Sequence, residues 1–227
     1  MGQTIGVLDC IYENMLEKYG PWQRRVLMVG LDNAGKTTVL YTLQSQNGEK
    51  PAPPAPNTMG YNVEMVRHQG LMFSLWDLGG HSSNRVAWLQ LLPETQGLIF
   101  VVDSNDKKRI LEARDELHKL LKNDELSGVK LLVLANKQDL DDKLSTDEII
   151  EKLQLRTLPL DLWWHVQECC ATSGEGLSQG MDWLASALAN PQGLPSGSGD
   201  HSGDVSSQMK YNGISQVAEV LDLLLVH

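Results

Sequence analysis

The segment GLDNAGKT at residues 30–37 decides the fold of this chain. It follows the apolar run VLMV at 26–29 and opens into a helical pattern that begins at Thr38. A strand, a G-x-x-x-x-G-K-[ST] loop and a helix in this order are typical of a phosphate-binding P-loop, because backbone N–H groups and the helix start attract phosphate oxygens. We expect Lys36 to contact the β- and γ-phosphates and the Thr37 hydroxyl to bind Mg²⁺. The alternative is a glycine-containing turn with a surface lysine, which the flanking strand and helix disfavour.

The composition is that of one main globular domain with appendages. The chain has 227 residues, 41% of them hydrophobic and 21% charged, which is enough to build a sizeable core. Its net charge of −10, without a block of Lys or Arg, argues against a nucleic-acid partner. Three cysteines, two of them adjacent, do not make a disulfide framework and are typical of a cytosolic protein. The sequence contains no run of 18 apolar residues and therefore predicts no membrane span. We expect a monomer.

The ends of the chain differ from its middle. Residues 2–19 place apolar side chains at steps of three and four and predict an amphipathic helix, with a folded domain over 22–190. Gly2 is a candidate for N-myristoylation, although Gly6 stands where the motif has Ser or Thr. This helix either attaches to a membrane or packs on the domain, and both readings stay open. Residues 191–213 predict a disordered linker, and 214–227 a short apolar segment that either docks as a helix or is a frayed tail.

The middle of the chain alternates predicted strands and helices. We expect strands at 26–29, 58–66, 71–76, 97–103, 131–135 and 163–170. Helices are expected after the P-loop, from a cap at Ser104 or Asn105 through Leu121, at 146–153, and around 181–188. Strands separated by helices imply right-handed crossovers. The pattern therefore predicts an α/β fold with a six-stranded, mostly parallel sheet, helices on both faces, and one antiparallel edge strand from the hairpin at 58–76.

Two further motifs specify the ligand. Asp77 ends an apolar strand, where an acidic residue beside a P-loop is the expected second holder of Mg²⁺. Asn136-Lys137-x-Asp139 follows another strand, and the Asp139 carboxylate can accept hydrogen bonds from N1–H and the exocyclic amine of guanine. Adenine lacks these donors, so the motif predicts a guanine nucleotide. After the last strand, we expect the Ala171 N–H to lie near the guanine oxygen.

With these motifs, the chain resembles a known family, the Arf and Arf-like branch of the Ras-like small GTPases, over about residues 2–190. The segments that carry the resemblance are GLDNAGKTT at 30–38, TxGYNVE at 58–64, WDLGG at 76–80, TQGLIFVVDS at 95–104, NKQDL at 136–140 and CATSG at 170–174. Asp32 stands where Ras proteins carry glycine. The resemblance implies a P-loop NTPase fold, GTP and GDP as ligands with Mg²⁺, and a hairpin that slides on GTP binding and expels the N-terminal helix for membrane attachment.

The motifs and the resemblance together assign the site. The residues expected to bind nucleotide are Asp32, Asn33, Ala34, Gly35, Lys36, Thr37, Thr38, Thr58, Gly80, Asn136, Lys137, Asp139, Cys170 and Ala171. Mg²⁺ is assigned to Thr37, Asp77 and, in the GTP state, Thr58. Gly80 would offer its N–H to the γ-phosphate, and His81 occupies the catalytic position that follows it.

Three features depart from the family pattern. His81 replaces the glutamine that orients the attacking water, so we expect slow intrinsic hydrolysis. The proline-rich loop before Thr58 is longer than in typical Arf sequences, and Asn57 replaces the usual proline. The aromatic triad that effectors of the family read appears as Tyr61, Trp76 and Leu91, so the third ring is missing.

The leading functional hypothesis is a switch that alternates between GDP and GTP forms and recruits effectors at a membrane surface in trafficking or signalling. Its expected partners are an exchange factor, a GTPase-activating protein and effectors, and its expected location is the cytoplasm, with peripheral membrane association in the GTP state. The alternative is a non-hydrolysing, GTP-bound scaffold that binds proteins. A P-loop kinase is a third reading, but the sequence supplies no second substrate pocket or lid.

Overall fold

The computed structural model describes residues 23–46, 48, 61–78 and 88–189. All of them lie in the first of the two units into which the chain divides, Met1–Ser196. Several expected features lie outside the described residues: the helix at 2–19 with Gly2, the segments 191–213 and 214–227, and the site residues Thr58, Gly80 and His81. The domain boundaries therefore stay predictions.

Six strands and four helices form the described domain. In chain order they are β1 (Gln23–Val29), α1 (Lys36–Gln46), β2 (Tyr61–His68), β3 (Leu71–Leu78), β4 (Gly97–Asp103), α2 (Ile110–Leu121), β5 (Lys130–Asn136), α3 (Thr146–Lys152), β6 (Trp163–Glu168) and α4 (Leu177–Ala189). Short 3₁₀ turns at Asp124–Leu126 and Leu155–Thr157 lie in the connections. None of the helices among the described residues has the length and apolar character that crossing a bilayer requires.

The strands form one sheet in the order β2-β3-β1-β4-β5-β6. Every neighbouring pair is parallel except β2 and β3, which form an antiparallel hairpin at one edge. This arrangement confirms the predicted six-stranded, mostly parallel sheet. Because five strands run the same way, the loops after β1, β3, β4, β5 and β6 meet along one edge, where ligands bind in such folds.

The sheet is covered on both faces, and β1 shows why residues 26–29 are all apolar. Leu27 and Val29 belong to one core cluster with side chains of α2 and α3, including Leu117 and Ile149. The alternate β1 residues Val26 and Met28 belong to a second cluster with side chains of α1 and α4. Successive strand residues face opposite sides of a sheet, so residues 26–29, which are buried on both sides, are apolar at every position.

The start of α2 differs from the prediction. The helix begins at Ile110, and its N-cap residue is Arg109, without a side-chain cap. The Ser104 N–H donates to the Asn136 carbonyl, and the Ser104 carbonyl accepts from Leu144 N–H. Because these backbone groups are bonded to β5 and to the loop before α3, residue 104 cannot cap a helix turn. The predicted cap at Ser104 or Asn105 is therefore wrong.

Candidate nucleotide-binding site

The loop between β1 and α1 is held against the carboxyl edge of the sheet by two glycines. Gly30 and Gly35 adopt φ values of +149° and +98°. A Cβ on Gly30 would lie 2.3 Å from the Val101 carbonyl oxygen, and one on Gly35 would lie 2.3 Å from Asn136 Nδ2. Both positions therefore require glycine, because any side chain would push the loop away from β4 and from the loop after β5.

Lys36 reaches back over this loop from the first position of α1. Its Nζ donates to the carbonyl oxygens of Gly30 at 3.0 Å and Leu31 at 2.9 Å, and the residue is buried. The ammonium group therefore lies inside the loop. This is the position in which a P-loop lysine meets phosphate oxygens.

Thr37 and Asp77 form the pair expected for Mg²⁺. The Thr37 hydroxyl donates to Asp77 Oδ2 at 2.6 Å, and Asp77 is fully buried near the end of β3. Parallel pairing of β3 with β1 sets Asp77 opposite Met28, two residues before the loop, which brings the carboxylate to the start of α1. A hydroxyl and a carboxylate are hard oxygen donors of the kind that Mg²⁺ prefers. These two residues fit the metal and would hold it.

Asn136 joins the phosphate loop to the loop after β6. Its Nδ2 donates to the Ala34 carbonyl at 2.8 Å, and its Oδ1 accepts from Ala171 N–H at 2.9 Å. The side chain is 2% exposed. The predicted location of the Ala171 N–H beside the guanine oxygen would require exchange of this second bond, because here the N–H is bonded to Asn136. That assignment stays a prediction.

The other residues of the Asn136 motif lie at the open side of the same edge. Lys137 adopts a left-handed conformation, with φ +67°, and its Nζ is 2.6 Å from Asp103 Oδ2 at the end of β4. Asp139 is exposed, and its Oδ1 accepts from Cys170 Sγ at 3.3 Å. The structure therefore brings Asp139 and Cys170 together and leaves the Asp139 carboxylate open to a ligand.

The adjacent thiols have opposite surroundings. Burial, with a smaller contribution from Cys170, raises the pKa of the Cys169 thiol to about 12. Hydrogen bonding to Ser173 and then to Thr172 lowers the pKa of the Cys170 thiol below its ordinary value. Cys169 is therefore a neutral core side chain, while the Cys170 thiol, although also buried, contacts the polar side chains of Asp139 and Thr172.

Comparison with known proteins gives the family. The model of the ADP-ribosylation factor family matches residues 12–188. This chain belongs to the ADP-ribosylation factor family. It is also similar in structure to the Arl6 (BBS3) small GTPase of Trypanosoma brucei, solved with the bound nucleotide analogue GppNp. The TM-score is 0.68 and the identity 31%, over 74% of this chain and 99% of that chain. The Arf-family chain thus has the P-loop GTPase fold, and its family is one of GTP-binding switches.

Some residues of this Arf-family site were not found from the sequence. Asp103 anchors Lys137, and the Thr42 hydroxyl of α1 donates to the Ala171 carbonyl at 2.6 Å. Arg109, before α2, donates to the side chain and carbonyl of Asp32 in the P-loop. Asp103 could have been found from the sequence, because it is an acidic residue at the end of a predicted strand. The roles of Thr42 and Arg109 depend on tertiary contacts that carry no sequence pattern.

The aromatic triad expected at the effector surface lacks its third ring, and two of its three side chains are also buried. Trp76 is fully buried, and the Arg25 guanidinium lies 4.5 Å from its ring centroid. Leu91 is 2% exposed. In this structure of the Arf-family chain, neither side chain is presented to a partner.

Proposed function

We propose that this Arf-family protein is a guanine-nucleotide switch that binds GDP and GTP with Mg²⁺ and acts in its GTP form at a membrane surface. The observation that carries the proposal is the pair of Asn136 hydrogen bonds. They hold the loop for phosphates and the loop for the base in one fixed relation. Such a link serves a ligand that has a polyphosphate at one end and a purine at the other.

The binding step follows from the geometry of the site. Phosphate oxygens enter the loop at 30–37, where they meet backbone N–H groups and the Lys36 ammonium. Mg²⁺, when bound, neutralises phosphate charge, with Thr37 and Asp77 as its protein partners and Thr58 joining in the GTP state. The exposed carboxylate of Asp139 pairs with the N1–H and amine of guanine.

Base choice is tested by replacing the carboxylate that recognises it. Asp139→Asn substitutes an amide N–H for an acceptor, so it should weaken binding of fluorescent GDP and improve binding of xanthosine diphosphate, whose C2 oxygen accepts a hydrogen bond. Asp141→Asn, on an exposed turn two residues away, is the matched control and should leave both affinities unchanged. Equal effects of the two substitutions would contradict the assignment of Asp139.

We propose slow intrinsic hydrolysis because His81 occupies the position of the water-orienting glutamine. Single-turnover release of phosphate, with and without a GTPase-activating protein, measures it. His81→Gln should raise the rate, since a carboxamide can accept from and donate to water at once. An unchanged rate would remove His81 as the cause.

Membrane action is proposed to depend on the apolar face of residues 2–19 and on acylation at Gly2. A single myristoyl chain gives only marginal binding, so the two signals should act together. Gly2→Ala should release the GTP-locked protein from neutral lipid vesicles in flotation, while the GDP form should stay unbound with either residue. Binding that is the same for both residues would contradict the role of Gly2.

His81 also favours a second candidate function, a GTP-bound scaffold that does not hydrolyse its nucleotide. The two candidates differ in one readout. A switch releases phosphate when an activating protein is added, whereas a scaffold retains GTP and keeps its protein partners under the same conditions.

A further inference from the structure

Arg109 makes three contacts that converge on the P-loop and the turn before α2. Its Nε donates to Asp106 Oδ2 at 2.6 Å, its Nη1 to Asp32 Oδ1 at 3.0 Å, and its Nη2 to the Asp32 carbonyl oxygen at 3.2 Å. The guanidinium is planar and rigid, so these contacts fix its orientation and that of the groups it binds. One side chain thus fixes both the carboxylate and the backbone of Asp32.

Arg109 is itself held in place. Its backbone N–H donates to Asp106 Oδ1 at 3.2 Å, in addition to the side-chain contact. Burial alone would raise the pKa of the Asp106 carboxyl, but hydrogen bonding and charge pairing with Arg109 outweigh burial and hold that pKa below its ordinary value. The turn that carries both residues starts at Asp103, which binds Lys137 of the base-recognition motif. The P-loop is therefore connected through Arg109 to the base side of the site.

The carbonyl contact has a consequence for the phosphates. A trans peptide is planar, with its C=O and N–H on opposite sides. Because Arg109 holds the Asp32 carbonyl on the α2 side of the loop, the N–H of Asn33 faces the other way. Asn33 has φ +62°, a left-handed conformation that reverses the chain at this point of the loop. Loops of this type bind phosphate through successive N–H groups.

The carboxylate contact has a second consequence. Asp32 places a negative charge in a loop that binds a polyphosphate, and an unpaired carboxylate there would repel the ligand. Arg109 supplies the opposite charge at 3.0 Å, and each of the two side chains is about one-third exposed. The pair therefore offsets the cost of having Asp32 at this position of the P-loop.

We propose that Arg109 is a positioning residue of the nucleotide site, which orients the Asp32–Asn33 peptide toward the phosphates and neutralises Asp32. The inference rests on the proposed function, because it needs a bound nucleoside diphosphate or triphosphate. It assigns a role to a residue outside the P-loop and base motifs.

The test is the rate at which fluorescent GDP dissociates from the full chain with excess Mg²⁺. Arg109→Ala should accelerate dissociation about tenfold, since it removes charge-assisted hydrogen bonds that are partly screened by solvent. Arg109→Lys keeps the charge but cannot make three directed contacts, so it should fall between Ala and wild type. Arg114→Ala is the control, because Arg114 lies on α2, five residues after Arg109, and pairs with its exposed neighbour Asp115.

A second background separates positioning from general packing. In Asp32→Gly protein the carboxylate is gone, and the carbonyl contact is the one described contact of Arg109 with the P-loop that is left to lose, so Arg109→Ala should accelerate dissociation only about threefold there. The same factor in both backgrounds, or no effect of Arg109→Ala in wild type, would overturn the proposal. Wild-type protein that binds no GDP would instead refute the proposed function itself.

Discussion

Replacing Asn136 by alanine removes the link between the phosphate loop and the loop after β6. The substitution deletes an amide that donates to the Ala34 carbonyl and accepts from the Ala171 N–H. Both backbone groups belong to buried residues, at 2% and 3% exposure. They therefore lose their Asn136 partner in a place where water has poor access.

The size of the effect follows from these two groups. A buried donor or acceptor that loses its partner costs about 1–3 kcal/mol, so the pair costs about 2–6 kcal/mol. That is a large share of the roughly 5–15 kcal/mol that holds a domain folded. Part of this cost destabilises the nucleotide complex relative to the nucleotide-free protein. A part of about 1.4 kcal/mol makes GDP dissociate about tenfold faster.

The assay combines urea unfolding of the GDP complex with the dissociation rate of fluorescent GDP. The control is Asn123→Ala, which removes a partly exposed cap whose Oδ1 accepts from Glu125 N–H, and should cost about 1 kcal/mol or less with no change in dissociation. Asn136→Ala protein with the stability and dissociation rate of the control would refute the reasoning that Asn136 couples the two loops.

Three further outcomes are expected. Lys36→Ala should weaken GDP binding about a hundredfold in equilibrium titration, because a charge-assisted bond to phosphate is worth about 3 kcal/mol, and near-normal affinity would remove Lys36 from the site. Chelation of Mg²⁺ should speed GDP release about tenfold in wild type but change it little in Thr37→Ala, which already lacks a metal-binding hydroxyl; an equal response would separate Thr37 from the metal. Because the Asp106 pKa is held below its ordinary value of 3.8, its ion pair with Arg109 stabilises the fold above that pH and is lost in acid. The stability difference between wild type and Asp106→Asn should thus be constant from about pH 8 to 5 and shrink below about pH 4, whereas a difference that shrinks near neutrality would contradict this.

The sheet was predictable because its signals are local and strong. The strand at 97–103 is continuously apolar and is found with the predicted bounds, as β4. The P-loop is marked in the sequence by Gly30 and Gly35. In the structure, both glycines lie so close to backbone or side-chain atoms of other segments that a Cβ would clash with them. Patterns of this kind depend on few neighbours, so the sequence is sufficient to read them.

Element ends were less predictable, because tertiary hydrogen bonds decide them. Ser104 is a good helix cap by type, yet its backbone is bonded to Asn136 and Leu144, so α2 starts six residues later. In the opposite direction, β3 continues through Asp77 to Leu78 because β2 pairs with it that far. Polar residues that look like the start of a turn are kept in a strand when a partner strand is present.

The candidate site shows the same division. Lys36, Thr37 and Asp77 are recognisable because the chemistry of phosphate and Mg²⁺ requires their side chains at fixed places after strands. The Arg109 contact with Asp32 joins residues that are 77 positions apart in the sequence. No sequence motif includes both of them. Contacts of this kind appear only when the sheet brings its loops together.

Binding of a guanine nucleotide by this chain is tested most directly by mass spectrometry of the small molecules released on denaturation. Protein purified in Mg²⁺ should release about one mole of guanine nucleotide, GDP or GTP, per mole of protein. Soaking with excess ATP should not displace this nucleotide. Protein that releases no guanosine phosphate, either as purified or after soaking with GTP, would contradict the account.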